Sequence, residues 1–75
     1  MIKARIFGKR FCTYCGKVNM YYYTWEENGE TRVFGQCLTR GCENVDYCDN
    51  KTEEDIKKWY GDKLKPSSVK TINLI

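Results

Sequence analysis

The sequence predicts a small α+β domain: an antiparallel sheet of three or more strands built on a central β-hairpin, with one helix toward the C-terminal end and a metal as staple. Three observations predict it. Two short cysteine pairs, Cys12-Thr13-Tyr14-Cys15 and Cys37-Leu38-Thr39-Arg40-Gly41-Cys42, stand 21 residues apart. Between them, two runs of β-formers flank Asn28-Gly29. Beyond them, Thr52-Glu53-Glu54-Asp55 opens a segment whose apolar residues recur at helical spacing.

The metal follows from size and cysteine usage. A chain of 75 residues is one domain, 1–75, and buries too little apolar surface to be stable without disulfides or a metal. Five cysteines offer either solution. An odd count suits a secreted disulfide scaffold poorly. The opening Met1–Phe7 is too short and too charged for a secretory signal, so a reducing, cytoplasmic setting is expected and Asn50-Lys51-Thr52 reads as a chance glycosylation acceptor. No apolar run approaches the ~20 residues of a membrane span, so no membrane partner is expected. A net charge of +3 permits contact with nucleic acid or with an acidic protein surface and argues strongly for neither. The absence of histidine excludes imidazole catalysis.

Residues 2–7 alternate, with Ile2, Ala4 and Ile6 facing one way and Lys3 and Arg5 the other, the mark of a half-buried strand. Gly16 supplies the positive φ that a Cys-x-x-Cys-Gly turn requires. Asn19–Trp25 and Thr31–Gln36 are the hairpin strands, and Asn-Gly is the strongest short signal for a type I′ turn. With that turn, Trp25 faces Arg32, Thr24 faces Val33 and Tyr23 faces Phe34. One face then carries Tyr21, Tyr23, Trp25, Arg32 and Phe34, and the other Met20, Tyr22, Thr24 and Val33. Residues 43–48 predict a third short strand. Thr52 is the expected N-cap of a helix over about 53–60, with acids in its first turn and Gly61 as its terminator. Ile56, Trp59 and Tyr60 form its apolar stripe. Residues 69–75 predict a last strand that pairs with 2–7.

The metal-binding core spans 12–48. Cys-x2-Cys and Cys-x4-Cys knuckles at the two ends of a hairpin bring four thiolates to one point, the signature of a zinc ribbon. Cys12, Cys15 and Cys37 are three of the ligands. Cys42 supplies the fourth unless Cys48 replaces it; the plainer reading of Cys48 is a small buried hydrophobe. Four protein ligands close the site, so one structural Zn2+ is expected and no enzyme activity. Rubredoxin-type iron sites use two x2 knuckles, which disfavours iron. A thioredoxin-type dithiol needs a βαβ unit that is missing here.

The run Cys12-Thr13-Tyr14-Cys15-Gly16, then Arg32-Val33-Phe34-Gly35-Gln36-Cys37-Leu38-Thr39-Arg40-Gly41-Cys42, with a short strand and a helix after it, resembles the Ogr/Delta family of phage zinc-finger transcription activators. The resemblance covers residues 12–60. It implies that Cys12, Cys15, Cys37 and Cys42 bind zinc, and that the chain acts on transcription by binding host RNA polymerase, promoter DNA or both. Met20–Trp25 is more aromatic than the corresponding family strand, and the N-terminal strand and hydrophobic C-terminal end are additions. The alternative is an adaptor or inhibitor of another host protein without nucleic-acid binding. No small-molecule substrate is expected.

Lys9, Arg10 and Lys17 flank the first knuckle and Arg40 projects from the second. With Lys3, Arg5 and Arg32 they form a candidate phosphate-contacting patch. Tyr21, Tyr23 and Trp25, beside Arg32, are either core or a platform for stacking bases. Glu26, Glu27 and Glu30 at the hairpin tip repel a phosphate backbone and suit a protein or a metal instead.

Overall fold

The computed structural model of the chain describes residues 2–48 and 50–74, apart from the side chains of Ile2 and Leu74. Its elements are β1 (Ile2–Arg10), β2 (Met20–Glu27), β3 (Glu30–Cys37), β4 (Val45–Tyr47), α1 (Glu53–Tyr60), a 3-10 turn (Gly61–Lys63) and β5 (Thr71–Leu74). The strands form one antiparallel sheet in the order β4-β3-β2-β1-β5. The terminal strands pair as expected, Ala4 opposite Ile72 and Arg5 opposite Thr71. The expectations for Ile75 and for the Ile2 side chain fall outside the described residues.

The hairpin turn sets everything else. Asn28 and Gly29 both take positive φ, 53° and 80°, the pair of left-handed residues that a type I′ turn needs. The register is the expected one: Trp25 with Arg32, Thr24 with Val33, Tyr23 with Phe34. Gly35 sits opposite Tyr22, and a Cβ there would lie 2.5 Å from the Tyr22 ring. The missing side chain is the space the ring occupies.

β1 is longer than the expected 2–7 and carries a bulge. Ile6 pairs with Tyr23 and Gly8 with Tyr22, leaving Phe7 as the extra residue. Strict alternation from Arg5 would put Lys9 on Arg5's side of the sheet. The bulge reverses this: Lys9 pairs with Tyr21 on the far face, and Arg10, paired with Met20, takes the place on Arg5's side.

Helix α1 covers the face of Met20, Tyr22 and Val33, which are buried together with Cys12, Cys37, Cys48 and Ile56. The other face buries Ala4, Ile6 and Tyr23 beneath Tyr21, Trp25, Phe34 and Ile72. Rings run across that face, with centroids 5.8 Å apart for Tyr23–Trp25, 5.6 Å for Tyr23–Phe34 and 5.3 Å for Phe34–Tyr47. No helix covers it among the described residues.

The helix begins with a full capping box. Asp55 N–H donates to Thr52 Oγ1 at 3.2 Å, and Thr52 N–H donates to Asp55 Oδ2 at 3.0 Å. The expected stripe needs one correction: Ile56 is buried and Tyr60 half-buried, but Trp59 is 74% exposed. Successive helical residues are rotated by about 100°, so Ile56 and Tyr60 at i and i+4 share a narrower line than Ile56 and Trp59. The eight-residue helix meets the sheet along that line only. Trp59 turns outward, with Lys51 Nζ 5.9 Å from its ring centroid.

Candidate metal centre

Each knuckle is a tight loop whose backbone bonds aim its sulfurs. In the first, Gly16 N–H donates to Cys12 O (2.9 Å) and Cys12 N–H to Lys17 O (2.8 Å), with Gly16 at φ 75°. In the second, Cys42 N–H donates to Thr39 O (3.0 Å) and Cys37 N–H to Asn44 O (3.0 Å). A bond from Leu38 N–H to Asn19 O, 2.9 Å, ties the second knuckle to the strand that leaves the first.

The sulfurs of Cys12, Cys15, Cys37 and Cys42 all lie within 4.8 Å of one another. Cys12 Sγ is 3.7 Å from Cys42 Sγ, and Cys15 Sγ is 3.6 Å from Cys37 Sγ. Neither pair is near the ~2.05 Å of a disulfide. Both match the edge of a tetrahedron whose centre is ~2.3 Å from each sulfur, which is ~3.8 Å. The four residues are therefore placed to hold a metal ion. Cys12 and Cys37 are buried, and Cys15 and Cys42 are half-buried.

Surrounding groups are arranged for sulfur that carries negative charge. The backbone N–H of Cys15, aided by the Asn44 side chain, pulls the Cys12 thiol down to about 6 against its burial. Asn44 Nδ2 donates to Cys12 Sγ at 3.5 Å. Thr39 Oγ1, 3.5 Å from Cys15 Sγ, accepts from Asn19 Nδ2 at 2.9 Å, which leaves its own proton available to the sulfur. Thr39 is also the main reason the Cys15 thiol is lowered. At Cys42 the Asn44 backbone N–H favours the thiolate, but burial and the three neighbouring sulfurs outweigh it and push the thiol up to about 12. Four sulfurs this close cannot all ionise without a cation between them.

Cys48 stands apart. It is buried in the core under α1, and its Sγ donates to Asp46 O at 3.5 Å, outside the four-sulfur cluster.

The candidate contact residues do not gather on one surface. Arg40 is exposed and shares a shallow cleft with Tyr14 and Asn44 beside the sulfurs, and Lys17 is exposed in the first knuckle. Lys9 Nζ lies 5.9 Å above the Tyr21 ring on the face away from the helix, where Arg32 also stands, 3.5 Å from Glu30. Tyr21 and Trp25 are half-buried there, while Tyr23 is only 3% exposed and presents no open ring. Arg10 is on the helix side, its guanidinium 4.5 Å from the Tyr60 ring centroid. Arg5 is on that side too, paired with Glu53.

Two features escaped sequence reasoning. One is a polar network across four elements: Tyr22 Oη donates to Asp46 Oδ2 (2.7 Å), Tyr60 Oη donates to the same oxygen (3.0 Å), and Arg10 Nε donates to Tyr22 Oη (2.7 Å). Burial, reinforced by the bonds to Tyr60 and Asp46, drives the Tyr22 phenol far above its ordinary range. No local pattern links these residues. The other is the exposure of Tyr14 (81%) and Phe11 (52%) around the first knuckle. Tyr14 was legible in principle, because the two residues between knuckle cysteines face away from the metal. No family model, curated protein or solved structure matches this chain.

Proposed function

We propose that the chain is a zinc ribbon with one structural Zn2+ on Cys12, Cys15, Cys37 and Cys42, and that it regulates transcription by binding host RNA polymerase, promoter DNA or both. The observation that carries this reading is the convergence of those four sulfurs to tetrahedral spacing, in the Cys-x2-Cys and Cys-x4-Cys arrangement of the Ogr/Delta-like proteins. Soft thiolates favour zinc over harder divalent ions. Four protein ligands complete the coordination sphere, so the metal's role is to hold the knuckles, and activity resides in what they present, Arg40, Lys17 and Tyr14.

A second reading, a protein-only adaptor or inhibitor, is favoured by the scatter of the cations. Arg5 pairs with Glu53, Arg10 is folded onto Tyr60, and Lys9 and Arg32 lie on the opposite face. A duplex or single strand needs a continuous track of positive charge.

The test is capture from bacterial lysate on the zinc-loaded chain, with a DNA mobility-shift assay alongside. Retention of RNA polymerase, or DNA binding that falls steeply with salt and weakens on Arg40→Ala or Lys17→Ala, supports regulation of transcription. Failure of both sinks it and leaves the adaptor reading.

A further inference from the structure

We propose that the cleft between the first knuckle and the turn after α1 is a docking site for an acidic peptide segment of a partner protein. An apolar side chain of the peptide rests on Phe11 and Val18, and its carboxylates meet Arg10, Lys63 and Lys65. The inference rests on the reading that the chain works by binding a protein, and it assigns the surface.

The cleft has a volume of about 640 Å3 and is mostly apolar. Its apolar part comes from two side chains that a small domain has reason to hide: Phe11 is 52% exposed and Val18 42%. Tyr60 contributes its ring, and Arg10, Lys63 and Lys65 stand around it against a single acid, Asp62. The charge around an apolar floor is therefore net positive, which selects an acidic, apolar-anchored ligand and disfavours a basic one.

Arg10 adds an argument from pre-organisation. Its guanidinium is stacked on Tyr60, Nε donates to Tyr22 Oη at 2.7 Å, and Nη1 donates to Phe11 O at 3.1 Å. Tyr22 and Tyr60 are in turn held by Asp46. Nη2 has no partner among the described residues. A guanidinium already held through Nε and Nη1, with Nη2 left unpaired, loses little freedom when Nη2 takes a carboxylate oxygen. A peptide fits better than a nucleic acid. The three cations cluster at one point and do not form a track, and Phe11 and Val18 offer a greasy seat but no series of open rings for successive bases.

The test is an NMR titration of the 15N-labelled, zinc-loaded chain with a short peptide alternating Asp or Glu with Leu or Phe. The same peptide with Lys in place of the acids, and oligothymidylate, serve as comparisons. The acidic peptide is expected to give saturable shifts at the amides of Phe11, Val18, Lys63 and Lys65. The lysine peptide should give none. Combined Lys63→Glu and Lys65→Glu, both at exposed positions, should weaken binding about tenfold or more while leaving the amide dispersion unchanged. Phe11→Ser should weaken it as well. No saturable shift at these amides, equal binding to the charge-reversed chain, or tighter binding of oligothymidylate at the same amides overturns the proposal. Lysate capture separates the two readings: polymerase retained equally by the charge-reversed chain removes the cleft and spares the regulatory role, whereas peptide binding without polymerase does the opposite.

Discussion

Cys42 and Cys48 show how much one position decides. Both follow the hairpin and both are thiols, but only Cys42 closes the tetrahedron, at 3.7 Å from Cys12 Sγ, while Cys48 points to Asp46 O beneath the helix. Cys42→Ser should therefore lower zinc affinity by orders of magnitude in a competition titration. Cys48→Ser should keep one zinc per chain and cost about 1 kcal/mol, because a serine hydroxyl can also donate to Asp46 O. The reverse outcome would move the fourth ligand to Cys48. The thiols also set the direction of pH dependence. Cys42 is raised and holds its proton in the metal-free protein near neutrality, so metal loading releases protons. Affinity should fall as pH falls, because protons compete with the metal for the thiolates. A pH-independent affinity would contradict thiolate ligation.

At the scale of elements, the hairpin and the helix depend on different things. The hairpin register follows from Asn28-Gly29 and from alternation, both local, and was legible for that reason. An eight-residue helix is too short to form alone. It is sustained by Ile56, by Tyr60 on Asp46 and by its cap. Thr52→Ala should cost about 1 kcal/mol and lower the melting temperature by several degrees, with Thr52→Ser close to wild type. An unchanged melting temperature would mean that packing alone holds the helix. The ion pairs of Glu53 with Arg5 and Lys57 are solvent-accessible and add little. The expected stripe included Trp59 because spacing alone cannot say how wide a strip of the helix the sheet will cover.

For the whole molecule, the sheet has two apolar sides and, among the described residues, a single α-helix, and the two cysteine knuckles close the side the helix covers. Cys12 and Cys37 belong to that same core. Stripping the metal should therefore remove packing as well as cross-links. One zinc per chain is expected, and excess strong chelator should collapse the amide dispersion. A chain that stays folded without metal would overturn the staple. On the uncovered side, Tyr23 is buried by neighbouring rings, so aromatic composition there builds a core layer before it offers any surface.

The cysteine spacing, the Asn-Gly turn and the Thr52 cap are short-range signals. They determined the four-cysteine cluster, the hairpin register and the helix start, because each acts within a few residues or through one fixed period. The tertiary structure decided the rest. The bulge at Phe7 parted Lys9 from Arg5 and brought Arg10 onto Arg5's face, so the face on which each cation stands was not set by alternation alone. The meeting of β1, β2, β4 and α1 created the Arg10–Tyr22–Asp46–Tyr60 network, and with it the guanidinium that stands in the Phe11–Val18 cleft. The physical reason is distance along the chain: residues 12 to 38 positions apart meet only when the whole sheet has formed.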